Sequence, residues 1–124
     1  MISVLQEAIY SALSTISGVK VYDSVPETVE MPYIRIGDDS FSSSETKDGS
    51  FKLIDCEINV FSDYRGYQSI KNLTDQVLDK LSIINYSKQN TTVQFWDLVG
   101  MSFYRDEDNA RRANISARFM VCAA

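Results

Sequence analysis

The chain has 124 residues, of which 44% are apolar and 23% charged, and its formal net charge is −5. A chain of this length can bury enough surface to fold as one domain, which we expect to span residues 1–124. The acidic balance without any basic run argues against a protein that grips nucleic acid. The absence of histidine excludes Ser-His-Asp and Cys-His nucleophiles and every histidine-containing metal site.

The first predicted element is an amphipathic helix over residues 3–16. Apolar side chains recur there at helical spacing, and Gly18 follows as a stop signal. A short strand over 19–22 comes next, before a connector that contains Pro26 and Pro32. Proline has a fixed φ and lacks an N–H, so this connector is expected to lie outside the interior of a sheet.

A hairpin with a long polar tip is predicted next. Alternating apolar residues indicate strands over 33–37 and 51–62. The segment between them, 38–50, holds a single apolar side chain, Phe41, and an Asp-Gly turn signal. Such a segment cannot bury enough apolar surface to order itself, so we expect it to protrude and to become ordered against a neighbour. Phe41 either tucks under its own hairpin or anchors another chain.

The second half of the chain predicts a helix and another hairpin. Residues 67–83 carry an apolar stripe at helical spacing, and a polar connector over 85–91 leads to a strand over 93–103. Apolar residues fall on both faces of that strand, which predicts a central position or cover on both sides. The last strand, 112–122, alternates cleanly. The fold class is therefore α+β: a mostly antiparallel sheet of four to five strands packed against two helices.

Both cysteines, Cys56 and Cys122, fall on predicted strands. Buried free thiols are the favoured interpretation, and a disulfide stays open only if those strands are neighbours. The first sixteen residues have no basic region typical of a secretion signal, and no segment reaches the ~20 apolar residues that span a bilayer. We therefore expect a reduced, intracellular protein without a membrane partner.

Two acidic clusters raise the alternative of a small metal-dependent hydrolase or nuclease. They are Asp38 with Asp39, and Asp106 with Glu107 and Asp108. Carboxylates suit Mg²⁺ or Ca²⁺, but both clusters fall at predicted turns, where Asp caps backbone groups and stays solvated. The sequence also has no glycine-rich phosphate loop and no Gly-x-Ser-x-Gly elbow. We therefore assign no catalytic, cofactor or metal residue.

The charge is distributed unevenly along the chain. Residues 1–62 hold 10 acids and 4 bases, a net −6, whereas residues 63–124 hold 7 acids and 8 bases, a net +1. This asymmetry suits contact between the acidic part of one copy and the basic part of another. The arginines near the second predicted turn could instead pair locally with 106–108, at little energetic gain, or contact DNA weakly.

Four segments carry a family resemblance in a fixed order. They read Leu-Gln-Glu-Ala-Ile-Tyr-Ser-Ala-Leu at 5–13; Val-Tyr-Asp-Ser-Val-Pro at 21–26 with Pro-Tyr-Ile-Arg-Ile-Gly-Asp at 32–38; Ile-Asn-Val-Phe-Ser at 58–62; and Phe-Tyr-Arg-Asp-Glu-Asp at 103–108. Together they resemble the small tail-completion proteins of tailed phages, also called tail terminators or head–tail joining proteins. The block at 21–38 is the most specific. The short link between the first helix and Val21 departs from the family pattern.

The resemblance implies a structural virion protein, assembled in the host cytoplasm, and no enzyme. Such a protein forms a ring, usually a hexamer, at the head-proximal end of the tail tube, where it stops tube polymerisation. Its partners would be other copies of itself, the tail tube protein and the head connector or neck protein, with DNA passing through the lumen without specific binding. A head-completion or neck protein of the connector is the alternative. No cofactor or catalytic residue comes with the family.

The candidate functional residues are therefore those expected to contact another subunit or the tube. They come from the polar hairpin tip and from the arginine-bearing turns. The set is Asp39, Phe41, Ser43, Glu45, Lys47, Arg65, Arg105, Asp106, Arg111 and Arg112.

Overall fold

The computed structural model describes residues 2–37, 42–45, 51–63, 68–105 and 110–123, with backbone alone for Ile2 and for 42–45. Its elements follow the predicted order of helix, strand, hairpin, helix and hairpin. They are α1 (Ile2–Leu13), β1 (Lys20–Tyr22), β2 (Tyr33–Ile36), β3 (Ser42–Glu45), β4 (Phe51–Ser62), α2 (Gln68–Ser82), β5 (Asn85–Lys88), β6 (Thr91–Arg105) and β7 (Arg111–Ala123).

The strands form a single sheet in the order β1-β2-β4-β7-β6-β5, and β3 also pairs with β4. Strands β1 and β2 are parallel, and the other described pairs are antiparallel. The predicted α+β class is confirmed. The predicted number of strands, four to five, was too low, because seven are present. Strands β3 and β5 were missed because both are short and polar and lack the alternation that indicates a strand.

The predicted loop over 38–50 is wrong in its middle. Strand β3 pairs with β4 from Ser42 opposite Asp55 to Glu45 opposite Lys52, on the same side of β4 as β2. Backbone groups form this ladder, so a serine-rich segment can join a sheet without burying apolar side chains. Residues 38–41 and 46–50 lie outside the described residues, and the protrusion of the hairpin stays a prediction.

Both helices contribute to one core with the sheet. Every second residue of β4 and β7 is buried on that side, including Ile58 and Phe119. The buried helix residues are Val4, Leu5, Ala8, Ile9 and Leu13 on α1, and Ile70, Leu73, Thr74, Val77 and Leu81 on α2. Each fully buried Leu, Ile, Val or Phe side chain contributes roughly 1.5–3 kcal/mol. Among the described residues, no helix combines the length and the apolarity needed to cross a membrane.

The two cysteines are free although their strands are neighbours. Cys56 lies opposite Ala117, and Cys122 lies opposite Phe51 near the other end of the β4–β7 ladder. Cys56 faces the core, where burial, helped by the charge of Glu57, raises the pKa of its thiol to about 12. Its thiol therefore stays protonated at neutral pH. Both cysteines are free, as predicted, but only Cys56 is buried and Cys122 is half-buried.

Candidate assembly surface

Strand β6 has two parts with different neighbours. Residues 91–94 lie between β5 and β7, whereas from Phe95 onward β6 pairs only with β7 among the described strands. The outer part, residues 96–105, is called the β6 edge below. It carries five exposed large apolar side chains: Trp96, Leu98, Val99, Met101 and Tyr104. The prediction that this strand is central or covered on both sides is therefore wrong for most of its length.

Two bulges in β6 explain why the alternation of its apolar residues gave a wrong prediction of its burial. The pairing with β7 shifts between Phe95 and Asp97 and again between Leu98 and Gly100, which leaves Trp96 and Val99 as extra residues. After each extra residue, the following side chains face the opposite side of the sheet from the one that simple alternation along the sequence predicts. Leu98 and Met101 consequently lie opposite the buried residues of β7, on the core face, although simple alternation places them on different faces.

The exposed apolar side chains of the β6 edge lie where the helices do not cover it. On this side the cover ends near Phe103, which is half-buried and has the Lys71 ammonium of α2 5.6 Å from its ring centre. The exposed fractions of the five apolar side chains range from 36% to 52%. With ~200 Å² for a complete large side chain, they amount to roughly 400 Å² of exposed apolar surface along one strand, shared between its two faces because Leu98 and Met101 lie on the core face and Tyr104 on the other.

On the face away from the helices, one cross-strand row runs from edge to edge. It passes from Tyr104 on β6 to Arg112, Phe61, Tyr33 and finally Lys20 on β1, each directly opposite the next. The Arg112 guanidinium carbon lies 4.8 Å from the centre of the Tyr104 ring. The Phe61 and Tyr33 rings stack with their centres 4.6 Å apart. Aromatic and cationic side chains thus cross the whole face, and both ends of this row are exposed.

The same face also carries a charged row of one guanidinium between two carboxylates. Arg118 donates two hydrogen bonds to the Asp55 carboxylate, at 2.7 and 3.1 Å, and Asp97 lies opposite Arg118 on β6. These carboxylates, Asp55 first, raise the pKa of the Arg118 guanidinium. Nearby, the Asn114 amide donates to the Asn59 side-chain oxygen over 3.0 Å. This part of the face has no excess of positive charge for a phosphate backbone.

The structure brings together three of the predicted interface residues. Arg105 and Arg111 lie directly opposite each other at the end of the β6–β7 ladder, and Arg112 follows beside Tyr104. Arg105 is exposed, whereas Arg111 and Arg112 are half-buried. The aromatic partner of Arg112 was not foreseen, because only the strand register reveals it.

The other predicted interface residues are less defined. Ser43 and Glu45 lie on β3, where they pair with Ile54 and Lys52 of β4 through the backbone. Outside the described residues lie Asp39, Phe41, Lys47, Arg65 and Asp106, and with them both acidic clusters considered as metal sites. Within the described ranges, no group of three or more Asp, Glu, His or Cys side chains could hold a metal ion.

An exposed apolar edge on a small sheet–helix domain is typical of a protein that works in an assembly. The comparison with family models agrees with this class. The model described as "Tail completion protein gp17" matches residues 7–121. The chain belongs to this family and is a structural protein of the phage tail, which confirms the resemblance found in its sequence.

Two solved structures share the fold. A chain in the virion of a native gene transfer agent particle has a TM-score of 0.82 and 24% identity, covering 98% of this chain and 97% of that one. The gp17 protein of bacteriophage SPP1 has a TM-score of 0.66 and 22% identity, covering 94% of this chain and 88% of that one. A search of curated proteins by sequence found no match.

Proposed function

We propose that the chain forms a hexameric ring at the head-proximal end of the tail tube, stops tube polymerisation there and joins the tail to the head connector. The family supports a role in completing the tail. The observation that carries the ring is the β6 edge, because its backbone is unpaired by any described strand on its outer side and its apolar side chains are exposed. A soluble protein normally protects such an edge, so its cover is supplied by assembly.

The proposed partners are other copies of the chain, the tail tube protein and the head connector or neck protein. DNA passes through the lumen without specific binding, in keeping with the net charge of −5. Assembly takes place in the host cytoplasm. The role is structural and not catalytic, and the buried Cys56, the most enclosed nucleophile of the described part, is held in its unreactive thiol form.

The predicted interface residues fall into two groups within this proposal. Arg105, Arg111 and Arg112 contact the more acidic N-terminal half of a neighbour. The hairpin residues Asp39, Phe41, Ser43, Glu45 and Lys47, together with Arg65 and Asp106, contact a neighbour or the tube. Because such contacts are screened beyond ~8–10 Å, moderate salt should weaken self-association.

The test is to mix the purified protein with its phage's tail tube protein and to image the products by negative stain. Sixfold rings that sit on one end of each tube, together with shorter tubes, are expected. Mass measured against protein concentration should show monomers that convert to rings, with or without EDTA. A protein that stays monomeric at every concentration, with tube protein present, contradicts the proposal.

The same samples separate the two alternatives. A neck protein would bind connectors but leave tube length unchanged. A metal-dependent nuclease would cut DNA when Mg²⁺ is added and lose this activity with EDTA, without any change of mass.

A further inference from the structure

We propose that the β6 edge of one copy pairs with the outer side of β1 of the next copy, so that the sheet continues from subunit to subunit. This inference rests on the proposed ring and names the surfaces that close it. It makes the ring wall a joined β-structure built by strand addition, with main-chain hydrogen bonds between copies.

The outer sides of β6 and β1 lie at the two ends of the same cross-strand row. Tyr104 on β6 and Lys20 on β1 are the two ends of one cross-strand row, and no described strand pairs with either of them on its outer side. Along the sheet, β1 and β2 run in one direction, β4 is reversed, β7 is reversed again, and β6 runs opposite to β1. Copies related by rotation about a ring axis therefore bring β6 and β1 together as an antiparallel pair.

The use of two different edges decides the kind of assembly. Pairing of β6 with β1 is heterologous, each copy offers both edges, and such a contact closes into a ring when its rotation fits. Pairing of β6 with a second β6 is isologous, so each copy would use its β6 edge once and the assembly would end at a dimer.

Side chains at the two edges are complementary. Tyr104 is 43% exposed and already has a guanidinium on its inner side, while Lys20 at the other edge is exposed. Joining the edges extends the row, with the Lys20 ammonium of the next copy beside the Tyr104 ring as a second cation–π contact. Lys20 itself lines a groove of about 380 Å³, together with Tyr22, Glu30 and Met31 among others. This groove can take the Tyr104 side chain of the neighbouring copy.

The β6 edge has two bulges but lacks the other protections that monomeric proteins give to free strands. Exposed edges are usually interrupted by proline or covered with charged side chains, above all lysine. The β6 edge contains no proline and no lysine, and its charged residues are Asp97 and Arg105, near its two ends. Its middle, Leu98 to Met101, is open to pairing.

Disulfide trapping tests the contact directly. In a Cys122→Ser background, Lys20→Cys is combined with Tyr104→Cys. A second combination uses Ser102→Cys, two residues earlier on the same face of β6. Paired strands hold opposite Cα atoms ~4.5–5.5 Å apart, within reach of a disulfide. Assembled on tubes and oxidised, at least one of the two combinations should give a ladder of covalent oligomers up to the ring, which reducing agent returns to monomer.

Three controls define the outcomes. Lys20→Cys with Gln76→Cys, an exposed position on α2, should give no ladder. Tyr104→Cys alone should give no covalent dimer, and a dimer would show β6–β6 pairing and overturn the proposal. If rings form but neither Lys20 combination cross-links above the Gln76 control, the edge pairing is wrong and the ring stands. If the unaltered protein forms no ring with tubes, the proposed function fails and the edge pairing fails with it.

Discussion

Strands β4 and β6 lie on either side of β7, and both are long and rich in apolar side chains, yet their surroundings differ. On β4, alternate residues such as Ile54 and Ile58 are buried under the helices, and β2 and β3 cover its far side. On β6, Leu98 and Met101 point to the same face as that core but remain exposed, with no described strand beyond them. The apolar content of a strand therefore does not decide its burial within one copy. Its neighbours do.

The largest effect on stability is expected for a change in the core that covers β4. Val77→Asp on α2 places an unpaired charge in the core, where Val77 is fully buried, and should cost several kcal/mol, enough to unfold the domain. Gln76→Asp introduces the same carboxylate at an exposed position of the same helix and should leave thermal unfolding nearly unchanged. A Val77→Asp protein that melts cooperatively near the unaltered temperature would mean that the core is misplaced.

A smaller effect is expected when aromatic rings are truncated on β7 and on the β6 edge. Phe119→Ala removes the largest fully buried side chain of the core and should lower the free energy of unfolding by ~3–5 kcal/mol. Tyr104→Ala removes an exposed ring and its contact with Arg112 and should cost about 1 kcal/mol or less. Denaturant unfolding of the two variants measures the difference. Equal losses would contradict the distinction between the covered strand and the free edge.

The raised pKa of the buried Cys56 thiol predicts that the stability of the protein depends on pH. Cys56 has a pKa of about 12 in the folded protein against an ordinary value of 9.0, so the unfolded state loses its proton first as pH rises. Its contribution to stability is complete below pH 9 and falls between pH 9 and 12. From pH 9 to 10 the protein should lose about 1 kcal/mol more than its Cys56→Ala variant. Parallel stability curves for the two proteins would show that burial does not hold this thiol protonated.

The smallest effect on folding should accompany the largest effect on assembly. Leu98→Lys adds a charge to the exposed β6 edge and should change the free energy of unfolding by about 0.5 kcal/mol or less. The same change should abolish ring formation, because lysine blocks strand addition. Ile83→Lys is the matched control, since Ile83 is 74% exposed and lies just after α2, outside the β6 edge itself. Normal rings from Leu98→Lys, observed by negative stain, would break the link between the edge and the assembly.

Most of the fold was predictable because its signals are local. The spacing of Ile70, Leu73, Val77 and Leu81 gave α2, and the alternation from Phe51 to Ser62 gave β4. The polar strands β3 and β5 were not predictable, because backbone pairing stabilises them and their side chains give no pattern. The candidate surface was missed for a related reason. Its row from Tyr104 to Lys20 joins residues far apart in the sequence, and only the register aligns them.

The two bulges of β6 determine which changes in the length of this strand its pairing with β7 can accommodate. Phe95 and Phe103 both lie opposite buried residues of β7, Phe119 and Ala113, and the extra residues Trp96 and Val99 are accommodated between them without changing this pairing. Deleting either residue alone should close its bulge and leave Phe103 opposite Ala113 on the core face, and deleting both should give a straighter strand with the same facing. Natural variation in the length of this segment is therefore expected one residue at a time, at the two bulges.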